Sequence, residues 1–188
     1  MKYLVCLLEE PSASEMLTGI LKRLVSEEIH IQMMVFEGKQ DLEKQLERKL
    51  KHWNLPNSLF LVLRDQDSGD CYQIKQALLK KVQASGKEGK TLIRIACHEL
   101  ESFYLGDLAA VEKGLSLPNL ARYQTQQKYR DPDTLANAAE ELCKLTKNHY
   151  QKVSGSRSIA PYLDLEAHNR SVSFNTLLTG IKKLMGGN

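Results

Sequence analysis

Apolar and polar positions alternate in a regular way along the first part of the chain. Short apolar runs predict buried β-strands at residues 2–8, 29–36, 58–63 and 92–97. Between them, apolar residues recur every three or four positions, which predicts helices at residues 12–25, 41–51, 71–82 and about 100–108. Ser12 with Glu15 has the spacing of a helix capping box. Strands that alternate with helices predict an α/β fold with a mostly parallel four-stranded sheet flanked by helices.

The pattern changes after residue 110, where only helices are predicted. Asp131 and Pro132 have the composition of a helix start, so we expect a helix over residues 131–147. The Ser-Gly-Ser-Arg-Ser sequence at 154–158 predicts a loop, and a last helix is expected over residues 174–185, capped by Ser171 or Ser173. We therefore expect a core domain over residues 1–110 and a helical extension over 111–188 that packs on it.

Composition and charge narrow the class of protein. The chain is 42% hydrophobic and 26% charged, which is typical of a globular protein with a core. No apolar run reaches the roughly 18 residues that a membrane helix needs, so we expect no membrane association and a cytoplasmic location. The net charge of +3 is uneven, because residues 1–110 carry 15 Lys+Arg against 16 Asp+Glu and residues 111–188 carry 11 against 7. The basic tail is compatible with a phosphate-contacting surface, and equally with a solvated helical face.

Acidic residues follow three of the four predicted strands. With one neighbouring histidine, the candidates in chain order are Glu9, Glu10, Asp65, Asp67, Asp70, His98, Glu99 and Glu101. In parallel sheets, ligands bind beyond the carboxyl ends of the strands, where these residues lie. Side chains two apart on an extended segment point the same way, so Asp65 and Asp67 can converge on one ion, with Glu9 approaching from a neighbouring strand. Such oxygen ligands suit Mg²⁺ or Mn²⁺.

Several of these positions also have purely structural interpretations. Residues 67–70 can form an ordinary turn. If the chain is helical after His98, only one of Glu99 and Glu101 can face the site, whereas both can if it is extended. His98 itself is expected to be a hydrogen-bonding neighbour of the acidic cluster. The four cysteines are scattered and include no Cys-x-x-Cys pair, which argues against a zinc site or a disulfide framework.

Three basic residues of the tail could contact phosphates. They are Lys152, Arg157 and Arg170. Their charges could hold a nucleic-acid backbone or stabilise a pentacoordinate transition state, and their other interpretation is solubility and ordinary salt bridging. We favour Lys152 among them as a catalytic residue because it precedes a Ser/Gly-rich segment that can approach another backbone closely.

Two motifs resemble those of Toprim domains. Glu9-Glu10-Pro11-Ser12 after an apolar strand resembles the Glu-Gly-Pro-Ser opening of those domains, and Asp65-Gln66-Asp67 resembles their Asp-x-Asp motif. Glu10 stands where glycine is usual, and alignment to the preceding glutamate favours Glu9 over Glu10 as the ligand. The resemblance covers nearly the whole chain and is to a bacterial family of small Toprim-like proteins of unknown function. It rests on the strings EEPS, FEGKQDL, LRDQDSGDC, RIACHELESFYLGD, KVSGSRSIAPYL and SVSFNTLLTGI.

That family is similar to the nuclease half of the overcoming-lysogenization-defect (OLD) nucleases. Its genes tend to lie beside one for an ABC/SMC-type ATPase, in an arrangement that looks like anti-phage defence. The resemblance implies a Toprim-like fold, with Glu9, Asp65 and Asp67 as metal ligands and Glu99 and Glu101 as further acidic positions. It implies a nuclease or toxin subunit that the ATPase holds or activates.

Two functions of different classes follow. The first is an Mg²⁺- or Mn²⁺-dependent nuclease acting on DNA or RNA, tRNA included, with one or two metal ions. The second is a non-catalytic, Toprim-fold interaction module of an ATPase complex, for which Glu10 in place of glycine is the best argument. Homo-oligomers are compatible with both. A topoisomerase would need a second domain with a nucleophilic tyrosine, for which 188 residues leave little room.

Overall fold

The computed structural model describes residues 1–186 and contains one parallel β-sheet. Its strands are β1 (Lys2–Leu8), β2 (Ile29–Val35), β3 (Ser58–Asp65) and β4 (Thr91–Ala96). They are hydrogen-bonded in the order β2-β1-β3-β4, and each neighbouring pair is parallel. The predicted α/β fold with a parallel four-stranded sheet is confirmed. From β1 the chain passes to β2, which lies next to β1 on one side, and then to β3, which lies next to β1 on the other side. This change of direction leaves a crevice between the carboxyl ends of β1 and β3.

Helices cover both faces of this sheet. Those formed by residues 1–186 are α1 (Pro11–Leu24), α2 (Lys39–Lys51), α3 (Cys71–Ala84), α4 (Ser102–Leu105), α5 (Leu108–Leu115), α6 (Ala138–Leu145), α7 (Lys152–Ile159) and α8 (Val172–Leu184). The first three confirm the helices predicted between the strands. The capping box is wrong: Pro11 is the first residue of α1, so Glu10 occupies the cap position and the Ser12 hydroxyl donates a hydrogen bond to the Glu10 carboxylate.

The apolar core has one cluster on each face of the sheet. Val5, Leu7, Phe60 and Val62 pack with α2 and α3 on one face. The opposite residues of β1 and β3 pack with α1, α4, α5 and α8 in a larger cluster. That larger cluster includes residues from Leu4 in β1 to Ile181 in α8, so the helical tail and the strands share one core.

The region after residue 100 differs from its prediction in three places. The helix expected at 100–108 is split into α4 and α5: α4 ends at Leu105 with Gly106 as its C-cap, and Asp107 is the N-cap of α5, where its side chain accepts a hydrogen bond from the Ala110 N–H (3.0 Å). The helix expected at 131–147 is wrong at its start: Pro132–Thr134 is a single 3₁₀ turn, and the helix itself is α6. The predicted last helix is confirmed, with Ser171 as its cap.

The third difference is the loop expected at 154–158, which lies inside α7. A Cβ added at Gly155 would lie 2.5 Å from the Tyr150 ring, so glycine is needed there for close packing and not for a loop. Gly114 of α5 has the same role, since an added Cβ would lie 2.6 Å from the Ser158 oxygen. Small residues therefore bring α7 against its neighbours. None of the helices in residues 1–186 combines the length and apolar character needed to cross a membrane.

Candidate functional site

The segments that follow β1, β3 and β4 meet at the crevice between β1 and β3. The backbone N–H of Asp65 donates a hydrogen bond to the Glu9 carboxylate (3.0 Å), which joins the first two segments. The N–H of Asp67 donates to the His98 carbonyl oxygen (2.8 Å), which joins the second and third. The three acidic segments predicted to share one edge of the sheet therefore do so.

Asp65 lies at the centre of this crevice. It ends β3 and is only 9% exposed. Burial raises its pKa well above the ordinary value, and the negative charges of neighbouring carboxylates raise it further. These neighbours are Glu10, Glu101 and Glu9. Asp65 is thus a buried acid that repels other acids from each of the joined segments.

Glu101 has an unusual environment for a glutamate because it is completely buried. One carboxylate oxygen accepts a hydrogen bond from the Tyr150 hydroxyl (2.8 Å), while the other has no hydrogen-bond partner within residues 1–186. Burial raises the pKa of Glu101, and the positive charge of Lys152 partly opposes this effect. A buried oxygen without a donor is costly, so this atom is a candidate ligand for a cation. Tyr150 was missed by the sequence analysis, and no spacing in the sequence marks it.

Lys152 reaches the same cluster from the first turn of α7. Its ammonium lies 3.5 Å from the Glu10 carboxylate, and its side chain is 51% exposed. Burial acts to lower the pKa of Lys152, but nearby carboxylates outweigh that effect and raise the value. Those carboxylates are Glu101, Glu10 and Asp65. Lys152 therefore brings to the cluster a cation that is half open to solvent and can pair with an incoming anion.

Asp67 faces a different set of partners from Asp65. Its φ of +54° turns the chain out of the extended conformation that the sequence analysis assumed. Its carboxylate contacts the Lys39 ammonium (2.7 Å) and the Arg64 guanidinium (3.7 Å). The buried Arg64 also contacts Glu43 and, at 3.9 Å, Glu9. Arg64 was another residue that sequence reasoning missed, although it directly precedes the acidic motif.

The remaining acidic candidates have structural hydrogen bonds. Glu99 accepts a bond from the Ala139 N–H at the start of α6 (2.8 Å). Asp70 caps α3 by accepting from the Gln73 N–H (2.7 Å). A nitrogen of the His98 ring lies 3.2 Å from the Asp67 carbonyl oxygen. These contacts hold the rim of the crevice in place.

The two basic residues predicted to bind nucleic acid lie on the surface of the tail. Arg157 makes two hydrogen bonds to Glu15 of α1 (2.7 and 2.8 Å), which fixes the outer side of α7. Arg170 is exposed, and its backbone N–H donates to the Gly106 carbonyl oxygen. The Arg157 guanidinium is thus already bound to a carboxylate, whereas the Arg170 side chain is open to solvent.

The crevice contains the kind of ligand atoms that a hard cation prefers, but these atoms are not arranged around one point. Carboxylate oxygens are the ligands that Mg²⁺ prefers, and Glu101 supplies one without a donor. Within residues 1–186, however, no three His, Cys, Asp or Glu side chains are arranged to hold a metal ion as they stand. A bound Mg²⁺ would therefore be held by one or two of these carboxylates and by water, as is common for this ion.

Comparison with known proteins identifies a family but no characterised relative. Residues 8–182 match the model of the family described as Domain of unknown function (DUF4276). No curated protein and no solved structure matches the sequence. Because the family model covers nearly the whole chain, from the end of β1 to within α8, this protein belongs to the DUF4276 family.

Proposed function

We propose that this protein is a metal-dependent nuclease with a Toprim-type acidic site, which hydrolyses phosphodiester bonds of DNA or RNA. The observation that carries the proposal is the convergence of Glu10, Asp65 and Glu101 at the sheet crevice beside Lys152. A metal-binding role gives a reason for keeping buried carboxylates close together, where each raises the free energy of the others.

A divalent cation would relieve that repulsion. The pKa values of Asp65 and Glu101 are both raised, chiefly by burial, so their ionised forms are costly without a compensating charge. We expect the ion to be held by the Asp65 carboxylate and by the Glu101 oxygen that has no hydrogen-bond donor within residues 1–186. Glu10 or Glu9 would contact the ion through a bound water molecule. When bound, such an ion activates a water molecule and neutralises the charge that builds on a phosphodiester.

The other residues have roles that do not require the ion. Glu9 is oriented by the Asp65 N–H, which fixes the loop after β1 against the end of β3. Lys152 presents a half-exposed ammonium that can pair with a phosphate oxygen next to the carboxylates. The Toprim resemblance also assigns Asp67 as a ligand, but one of its carboxylate oxygens already pairs with Lys39 and Arg64, and we therefore expect Asp67 to matter less than Asp65.

The wider role rests on the sequence resemblance alone. We propose that the chain is the effector, or toxin, of a bacterial anti-phage defence system in which an ABC/SMC-type ATPase holds or activates it. The alternative is a non-catalytic module of the same complex. It is favoured by Arg64 and Lys39, which already compensate the charge of Asp67 and part of that of Glu9 without a metal ion.

The test combines metal binding and cleavage on the same samples. Mg²⁺ and Mn²⁺ would be titrated by calorimetry into the wild type, Asp65→Asn, Glu101→Gln and the control Asp70→Asn. Asparagine is as good a helix cap as aspartate, so the control changes a nearby charge and keeps the fold. The same proteins would then be incubated with plasmid DNA and total tRNA, with each metal.

The nuclease proposal expects metal binding and cleavage in the wild type and the control, and loss of both in Asp65→Asn and Glu101→Gln. Metal binding without cleavage would support the metal site and assign the missing component to the ATPase. No binding of either metal by the wild type would refute the metal-nuclease proposal and favour the interaction module.

A further inference from the structure

The free edge of β4 lies in a groove between two helices. β4 pairs with β3 on one side, and no strand within residues 1–186 pairs with its other side. The groove along this edge has a volume of about 300 Å³. It is lined by Cys71 and Lys75 of α3, Ile93 and Ile95 of β4, and Val172 and Thr176 of α8. Its walls are therefore mainly apolar, and its floor is the edge of a β-sheet.

The backbone of this edge has unused hydrogen-bonding groups. The Ala96 carbonyl oxygen accepts a bond from the Gln66 N–H and so faces β3. Because alternate residues of a strand direct their backbone groups to the same side, Ile93 and Ile95 direct theirs into the groove. The Ile93 oxygen accepts a bond from the Arg94 side chain (2.8 Å). In residues 1–186, the Ile93 N–H and both backbone groups of Ile95 have no recorded partner on this side.

The uncompensated charge of the groove is positive. Arg94 is partly buried and donates only to carbonyl oxygens, those of Ile93 and Thr176, with no carboxylate partner within residues 1–186. Lys75 likewise has no acidic partner there. Asp133 also lines the groove, and its hydrogen-bond partners Ser171 and Ser173 are neutral, so the two cations and this one acid together give the lining a formal net charge of +1. A ligand that carries a negative charge and can pair with a backbone edge therefore fits this groove.

We propose that the β4 edge binds an extended, acidic segment of a partner protein as a fifth strand. Main-chain bonds to Ile93 and Ile95 would give affinity, and a carboxylate of the partner would meet Arg94. A second copy of this chain fits less well, because pairing β4 with β4 would bring two sets of Arg94 and Lys75 together. The groove residues do not include any of the acidic site, so this inference does not depend on the nuclease proposal.

The probe for this surface is a capped, fluorescein-labelled peptide of about ten residues that alternates Val and Thr around one central Glu. Its binding would be followed by fluorescence anisotropy. The groove variants are Arg94→Gln, which removes the cation, and Thr176→Trp, which fills the groove from an exposed position of α8. Lys183→Trp places the same side chain at an exposed position of α8 that does not line the groove. Circular dichroism would establish that each variant is folded.

We expect Arg94→Gln to lower the affinity for the peptide about tenfold, which is the usual cost of losing one hydrogen bond to a charged group. Thr176→Trp should abolish binding, and Lys183→Trp should leave it unchanged. A peptide with Lys in place of Glu, or with Pro at two positions that must donate, should bind at least about tenfold more weakly.

Three results would overturn the proposal. The first is no binding of the Glu peptide by the wild type up to about 1 mM, where affinity is already weak. The second is binding that neither groove variant changes. The third is a dimer in analytical ultracentrifugation that Thr176→Trp dissociates and Lys183→Trp does not, since the edge would then belong to a second copy.

Discussion

The substitution Asp65→Asn should stabilise the protein at neutral pH while removing a ligand of the proposed metal site. Asp65 is 9% exposed and surrounded by other acids, and burial raises its pKa well above the ordinary 3.8. The folded protein therefore keeps a proton that the unfolded chain has already lost. Stability from this group is complete below pH 3.8 and is lost as the pH rises through the folded-state pKa. Asparagine carries no charge and has nearly the same size as aspartate, so it avoids this loss.

The size of the effect follows from linkage. One carboxyl with a raised pKa lowers the free energy of unfolding by at most about 1.4 kcal/mol for each pH unit between its two pKa values. We expect Asp65→Asn to gain about 1–3 kcal/mol at pH 8, comparable to the cost of an unsatisfied buried polar group. The gain should disappear at pH 3.5. Urea unfolding in EDTA from pH 3.5 to 8 would measure both.

The control for this experiment is Asp67→Asn, two residues away. Asp67 is paired with Lys39 and Arg64, so its loss should leave stability equal or slightly lower, by about 0–1 kcal/mol. Added Mg²⁺ should stabilise the wild type by about 1.4 kcal/mol at ten times its Kd, and should not stabilise Asp65→Asn. If Asp65→Asn is less stable than the wild type at pH 8, or follows the same pH dependence, our account of the acidic crevice is incorrect.

Four further substitutions test the packing around the site and in the helices after residue 100. Tyr150→Phe removes the hydroxyl that donates to Glu101, so it should cost about 1–3 kcal/mol in urea unfolding and weaken Mn²⁺ binding, whereas Tyr104→Phe removes a buried hydroxyl that has no hydrogen-bond partner within residues 1–186 and should cost nothing. Ser171→Ala removes the cap of α8 and should lower the free energy of unfolding by about 1–2 kcal/mol; an unchanged value would contradict the cap. Gly114→Ala places a Cβ against the backbone of α7 and should cost about 1–3 kcal/mol in thermal unfolding, while an increase in Tm would show that α5 and α7 are less tightly packed.

The strands and the first three helices were predictable because their signals are local. The run Leu59–Leu63 is apolar on both faces, as a strand must be when helices cover both faces of its sheet, and its flanks carry polar residues. Leu42, Leu46 and Leu50 recur every four positions and become the buried stripe of α2. The alternation of these patterns is sufficient to predict a parallel sheet with helices on its faces.

The later helices were not predictable from local signals. The Ser/Gly-rich residues of α7 are typical of a loop, but they are small because the helix packs closely on Tyr150 and on α5. Tertiary packing outweighs the weak intrinsic helix preference of such residues. In the same way, Asp131 and Pro132 resemble a helix start, yet they form a 3₁₀ turn and the helix begins only at Ala138.

The location of the candidate site was predictable, but the partners of its side chains were not. Strand ends in a parallel sheet must lie at one edge, which brings the three acidic segments together. Which carboxylate faces inward depends on contacts that are distant in sequence. Glu101 accepts a hydrogen bond from the Tyr150 hydroxyl, whereas Glu99 accepts one from the Ala139 N–H. Asp67 turns away to Lys39, and this follows from a positive φ that no spacing predicts.

The dependence of the acidic crevice on α7 has a consequence for how the protein is made. Glu9, Asp65 and Glu101 are translated well before Tyr150 and Lys152, which supply the nearby donor and cation. Until α7 leaves the ribosome and docks, the nascent polypeptide holds carboxyl groups that have not yet received those partners. The order of synthesis therefore delays assembly of the complete cluster until α7 has emerged from the ribosome. The strands that carry the first carboxylates emerge before the site can be completed.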